Sequence, residues 1–249
     1  MSELLTAIPT IRESVAAIMR IRLVKPETIK KGKTRPAKFN VALSGSAFCI
    51  ATDRYLVTAH HVLNDGKARE PKDKFYAFIV PQNADVAFHF PVVGFPVERT
   101  DVDISVLELG PCATAGKSIP AMPISFGQQP DGSRVATLGF PAPEIVSINV
   151  DAQGNYGGGS FFLKSHASTG IVSAQYNLSG VQAYELNIAW HHGESGGPIV
   201  ALTDPPAAFS LMQHYRKVQA PFGIVPGPRR GCALSMIQNE LNGLGITPG

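Results

Sequence analysis

Residues 191–200 read HHGESGGPIV, and the reading of the chain turns on whether Ser195 is a chemical nucleophile or only part of a tight turn. Glycines at 193, 196 and 197 let a backbone fold back sharply and leave nothing bulky over the Ser195 hydroxyl, a freedom any irregular loop could use. A serine hydroxyl is a poor nucleophile until a base takes its proton and a carboxylate fixes the tautomer of that base. The question therefore passes to the histidines and acids elsewhere in the chain, and to their order.

GESGG formally satisfies G-x-S-x-G, the nucleophile elbow of α/β-hydrolases, in which the partner acid and histidine follow the serine. Only His214 follows Ser195, and the one aspartate between them, Asp204, lies ten residues before it. No alternating strand–helix pattern precedes the serine to build a parallel sheet, which disfavours that arrangement. The opposite order, histidine then aspartate then serine, is well supplied. YLVTAHHV at 55–62 is an apolar run ending in two histidines, and DVDISVLEL at 101–109 sets acids directly before an alternating apolar run.

Composition bounds the architecture. A 249-residue chain folded as one globule buries about 70–75% of its unfolded surface, so a substantial core is available. Charged residues make up 16%, below the roughly 25% of an average soluble domain, and 24 Gly with 20 Pro imply many turns. Short β-branched or aromatic runs such as AFCIA, RYLVTA, FYAFIV, FHFPVVGF, ISVLEL, RVATLGF, GIVSAQ, YELNIAW and PIVAL are separated by Gly, Pro, Asn and Asp. This punctuation predicts an all-β protein, barrel or sandwich. Helix signals are confined to the ends. Thr10 and Glu13 stand at capping-box spacing with Ile11, Val15 and Ile18 on one face, and SMIQNEL at 235–241 supplies two turns.

The net charge of +3 is small, and the one basic cluster, KKGKTRPAK at 30–38, has no interleaved aromatic residues of the kind that stack on bases. It reads as a solvated loop, and no nucleic-acid partner is expected. Cys49, Cys112 and Cys232 form no C-x-x-C pair and cannot all pair within the chain, so reduced thiols are expected rather than a disulfide framework or a zinc ribbon. The first eleven residues include Glu3 and no Lys or Arg, unlike a secretory signal, and no window approaches the ~18 uncharged apolar residues of a membrane span. A cytoplasmic location without membrane association is therefore the expectation.

Taken together, YLVTAHHV, VVGFPVERTDVDISVLEL, RVATLGFP, STGIVSA and ELNIAWHHGESGGPIVAL resemble the trypsin-like serine peptidases, and look most like their HtrA/Deg-type branch over roughly residues 40–240. The resemblance implies a chymotrypsin-like double β-barrel with short N- and C-terminal helices. CATAGKSIPAMP at 112–123 reads as a linker, so a helix and first barrel are expected at 1–111 and a second barrel with a C-terminal helix at 124–249. That branch usually appends a peptide-binding PDZ domain, which is not expected within these 249 residues.

The resemblance also assigns roles. A hydroxyl residue, Ala, a small residue and the base fall on Thr58, Ala59, His60 and His61, which makes His61 the base, with His60 the alternative in a position the family gives to a small side chain. Asp103 is the orienting carboxylate; Asp101 reads as a solvated loop residue and Asp85 as an outside candidate. Ser195 is the nucleophile, and the N–H groups of Gly193 and Ser195 are the oxyanion donors. Glu194 stands where activated digestive relatives carry an acid that pairs with a freshly cut amino terminus; with some forty residues before the first matching strand and no evident activation site, a constitutively assembled site is expected. The family's primary pocket is walled by Ala189, Trp190 and His191 and by a strand within FSLMQHYR that includes His214. Ala189 offers no carboxylate to attract Lys or Arg, so an apolar pocket is favoured, with a polar one built on His214 kept beside it.

The implied activity is hydrolysis of peptide bonds in a polypeptide substrate. An esterase using the same three residues, or a catalytically silent peptide-binding module, remains an alternative. The pairs His60/His61 and His191/His192 contain metal-ligand types, but adjacent residues rarely aim at one ion, and neither a metal nor any other cofactor is expected.

Overall fold

The computed structural model describes residues 2–30, 33–64, 68–81, 86–189, 191–220 and 223–248. The chain begins with α1 (Ser2–Glu13), followed by β1 (Val15–Lys25), an exposed ribbon of β2 (Thr28–Lys30) and β3 (Lys33–Arg35), β4 (Lys38–Ala51), β5 (Tyr55–Ala59), α2 (His60–Asn64), β6 (Lys74–Ile79), β7 (Phe88–Arg99) and β8 (Ile104–Leu109). Then come β9 (Arg134–Gly139), β10 (Glu144–Val150), β11 (Tyr156–Phe162), β12 (His166–Leu178), β13 (Val181–Asn187), β14 (Pro198–Ala201), β15 (Ala207–Ala220), β16 (Gly223–Ala233), a short 3-10 turn at Leu234–Ile237 and α3 (Gln238–Gly243). The sheets close into two six-stranded barrels, β1-β4-β5-β8-β7-β6 and β12-β13-β16-β15-β14-β9, antiparallel throughout. The double-barrel expectation holds.

The helix expected from Thr10 onward through Val15 and Ile18 does not form there: α1 ends at Glu13 and Val15 opens β1. The reason lies in burial. β1 sits between β4 and β6, and its first eight residues, Val15–Arg22, are all buried, so the strand shows a continuous run instead of an alternation and its apolar spacing can be mistaken for a helical face. Arg20 and Arg22 are tolerated inside because each finds acceptors. Arg20 Nη1 donates to the carbonyl of Asn64 at 2.7 Å, and Arg22 Nε donates to Asp73 Oδ1 at 2.8 Å.

Two clusters of apolar side chains fill the molecule. The larger runs from the first barrel, around Phe48, Phe78, Phe90 and Leu56, into the seam between the barrels through Leu211, Cys232 and Leu234. The smaller lies inside the second barrel and includes Val172, Tyr184, Leu186, Ile188, Ile199, Phe209 and Met212. Each such fully buried large side chain contributes roughly 1.5–3 kcal/mol relative to exposure. Segment 112–123 carries no strand, and its Ile119 and Met122 are buried. All three cysteines are free, and burial pushes the thiols of Cys49 and Cys232 up to about 12.

Between β9 and β12 the chain leaves the second barrel as the β10–β11 hairpin, whose turn is closed by Asp151 Oδ1 accepting from the N–H groups of Gln153 and Asn155. Tyr156 and Phe161 of this hairpin pack on Tyr76, Phe78 and His89 of the first barrel. The hairpin thus reaches from one barrel to the other. At the other side α1 lies against β9, with Arg12 Nε donating to Ser165 Oγ at 3.0 Å.

Candidate active site

β5 ends at Ala59, which pairs with Ile104 at the start of β8, so the residues just beyond each strand end are forced together. His60 N–H donates to the Asp103 carbonyl at 3.1 Å. His61, opening α2, turns both of its donors on the Asp103 carboxylate: the main-chain N–H to Oδ1 and ring Nδ1 to Oδ2, each at 2.8 Å. A carboxylate on Nδ1 fixes the proton there and leaves Nε2 as the acceptor. Asp103 adopts φ 56°, a left-handed conformation that Asp tolerates better than most residues and that turns its side chain back onto α2. The neighbouring histidine points elsewhere, with His60 Nδ1 2.8 Å from Ser105 Oγ. Asp101 is exposed and held by Arg99, whose guanidinium draws its carboxyl down to about 2. Asp85 lies outside the described residues.

The turn before β14 carries Ser195. Gly193 (φ 99°) and Gly196 (φ 83°) both need the left-handed region, and both are also pinned by close backbone. A Cβ on Gly193 would run into the carbonyl oxygen of Phe140, and one on Gly196 into Ser46 O and Thr58 Oγ1. The turn is therefore tight for steric reasons, not merely flexible. It is bonded to both barrels. Gly196 N–H donates to Met212 O at 2.7 Å in the second barrel, while Ser46 in the first donates its N–H to Ser195 O at 2.7 Å and its hydroxyl to Gly193 O at 2.8 Å. Ser46 Oγ also accepts from Phe140 N–H at 3.0 Å.

Ala142 N–H donates to the His192 carbonyl at 2.8 Å. Because a trans peptide directs its C=O and N–H oppositely, this bond turns the Gly193 N–H away from Ala142, to the open side of the turn. Ser195 is 8% exposed, and its hydroxyl donates to the main-chain carbonyl of Gln213 at 2.8 Å. The side chain of that same Gln213, 3% exposed, donates through Nε2 to Val102 O at 2.7 Å and more weakly to Asp103 O at 3.5 Å. One residue of β15 therefore joins the serine on one side to the Asp103 segment on the other.

Glu194 is almost wholly buried, at 1% exposure. Its Oε2 accepts from His191 N–H at 2.6 Å, and its Oε1 has no hydrogen-bond partner among the described residues. Burial pushes its carboxyl above the usual range, against the opposing pull of the His191 N–H bond and of the charges on His191 and Arg229. Ala189 and His191 are exposed, and Trp190 lies outside the described residues. His214 is exposed and shares a shallow pocket with Asp101, Asp103, Gln213 and Arg230, on the Asp103 side of β15. Among the described residues no three His, Cys, Asp or Glu side chains gather as metal ligands, and no helix is long and apolar enough to cross a membrane.

Ser46, Ala142 and Gln213 are the site residues that sequence reasoning missed. Ser46 and Ala142 work on backbone groups, and nothing in their local sequence signals it.

A model of the trypsin-like peptidase domain matches residues 45–204. Among solved structures, the HtrA-type protease AlgW with a decapeptide is similar at a TM-score of 0.62 and 16% identity, over 96% of this chain and 66% of that one. Deg5 is similar at a TM-score of 0.58 and 14% identity, over 95% of this chain and 90% of that one. No curated protein sequence matches the chain.

Proposed function

Because the chain belongs to the trypsin-like peptidase family, we propose that it is a serine endopeptidase working through His61, Asp103 and Ser195. The observation that carries this reading is the double hydrogen bond of His61 to Asp103, main chain and ring together, which leaves Nε2 as the only basic position of that imidazole. In the resting site the Ser195 hydroxyl donates to the Gln213 carbonyl; rotation about χ1 would redirect that hydrogen bond toward His61 before attack.

Ser195 Oγ then forms a bond to a peptide carbonyl carbon while Nε2 takes its proton, and Asp103 stabilises the imidazolium. The negative charge that develops on the carbonyl oxygen meets the Gly193 and Ser195 N–H groups, the first of them oriented in advance by the Ala142 bond. Collapse breaks the C–N bond, His61 returns the proton to the departing amine, and water repeats the sequence to release the acid. A polypeptide substrate is supported by the decapeptide of AlgW, which is similar in fold.

A fluorophosphonate probe should label Ser195 in the wild-type chain, and casein should be cleaved. Ser195→Ala should lower turnover by on the order of 10⁶-fold, with His61→Ala comparably severe and His60→Ala much milder. A mutant serine retaining more than about a hundredth of wild-type activity, turnover confined to simple esters, or binding of casein without cleavage would each overturn the reading.

A further inference from the structure

We infer that Arg229 is the specificity-determining residue of this site, and that the preferred substrates are polypeptides with aspartate or glutamate immediately before the bond cleaved. The inference rests on the peptidase reading above and names its substrate class.

β16 runs between β13 and β15, and its side chains alternate between two environments. Cys232 belongs to the core of the inter-barrel seam, and Arg230, two residues away, lies with Asp101 and Asp103. Ala233 belongs instead to the core inside the second barrel, and Gly231 faces the same way, since a Cβ there would meet Ile199 of that core. Arg229 continues this second row. Its register partner on β13 is Leu186, buried in the same interior core, so Arg229 stands where that interior reaches the open end of the barrel.

That end is the one over which the turn carrying Ser195 closes. Ser195 Oγ reaches the Gln213 carbonyl on β15, and Arg229 is paired one strand over and two residues further along. Strand spacing and rise put the two backbones roughly 8 Å apart. On the peptidase reading, the side chain of the residue whose carbonyl is attacked would lie between them.

Arg229 brings its positive charge to this end, where it acts on Glu194, whose carboxylate is tied to His191 N–H. Ala189 adds no charge, and Glu185 pairs in register with Arg230, on the opposite face. Leu186 and Ile188 of the same interior core bring no negative charge that would repel an acidic side chain. A carboxylate offers Arg229 a planar, two-point acceptor that competes with its resting contacts.

The test is the cleavage profile of the full chain on a mixed peptide library, run beside fluorophosphonate labelling of Ser195. The expected result is cleavage after Glu or Asp favoured over Gln or Leu by about thirtyfold or more. That preference should collapse in Arg229→Gln, survive in part in Arg229→Lys, and turn toward Lys or Arg in Arg229→Glu. Labelling and cleavage without an acidic preference overturn the inference and leave the peptidase reading standing, as does a preference unchanged in Arg229→Gln. Absence of both labelling and cleavage defeats the peptidase reading, and Arg229 is then judged by binding. Fluorescent decapeptides differing only by Glu, Gln or Leu at one position are titrated against Ser195→Ala; tighter binding of the Glu peptide that disappears on adding Arg229→Gln supports the role, and equal binding overturns it.

Discussion

Glu194 is poorly compensated: one carboxylate oxygen accepts from His191 N–H and the other is buried without a hydrogen-bond partner among the described residues. An acid whose folded value is raised holds its proton more tightly in the native state, so its contribution falls as pH rises from its ordinary value, 4.5, through the folded value. Glu194→Gln keeps an oxygen for His191 N–H and cannot ionise. The melting temperature of the variant relative to wild type should therefore climb as pH is raised through that window, and a difference independent of pH would show that Glu194 is not held near neutrality. Gln213 is the other residue whose role is local. Gln213→Leu keeps the volume and the main-chain acceptor for Ser195 but removes the amide that holds Val102 and Asp103. The expected result is a fall of about tenfold or more in kcat with KM little changed; a change confined to KM would mean that the amide does not position the acid. His61, Asp103 and Ser195 stand out in the sequence because the chemistry proposed for them demands particular residue types within recognisable segments. Gln213 does not, because what it offers is an amide pointed at main-chain carbonyls a hundred residues away, and only the fold makes them neighbours.

At the scale of elements, the strands with regular punctuation were readable and β1 was not. Its apolar residues fit a helical face as well as a strand buried on both sides. The Arg22–Asp73 pair decides the matter physically. Burial alone would raise the Asp73 carboxyl, but the Arg22 hydrogen bond, the Glu70 N–H and the charges of Arg22 and Arg20 outweigh it and hold the group below its usual value. A depressed acid contributes stability above its unfolded value and loses it as pH falls through the folded one. Arg22→Met leaves Asp73 buried without its cation and should cost about 3 kcal/mol in a denaturant titration at neutral pH. The loss should shrink in acid, where Asp73 takes a proton; a loss of equal size at every pH would point to packing alone. The β10–β11 hairpin escaped notice for a different reason. It belongs to neither barrel's interior, and its aromatic residues are explained only by Tyr76, Phe78 and His89, which lie far away in the chain.

For the whole molecule, the sequence supported two barrels through the resemblance of its segments and could not say how tightly they are joined. Ser46 bridges from the first barrel to the turn of the second, and Gln213 bridges from the second to the acid segment of the first, so each barrel carries a hydrogen-bonded hold on the other's part of the site. Such bonds lose most of their strength when donor and acceptor separate by less than an ångström or tilt far from linearity. The site is in effect a gauge of barrel alignment: a slight slip along the seam disarms it while every strand remains paired. In rising urea, peptide hydrolysis should vanish at a lower concentration than the far-ultraviolet circular dichroism of the strands, and a substrate-like inhibitor on Ser195 should draw the two midpoints together. Coincident midpoints without inhibitor would mean that the seam is as firm as the barrels themselves, and that slip between the barrels offers the site no way to fall silent short of unfolding.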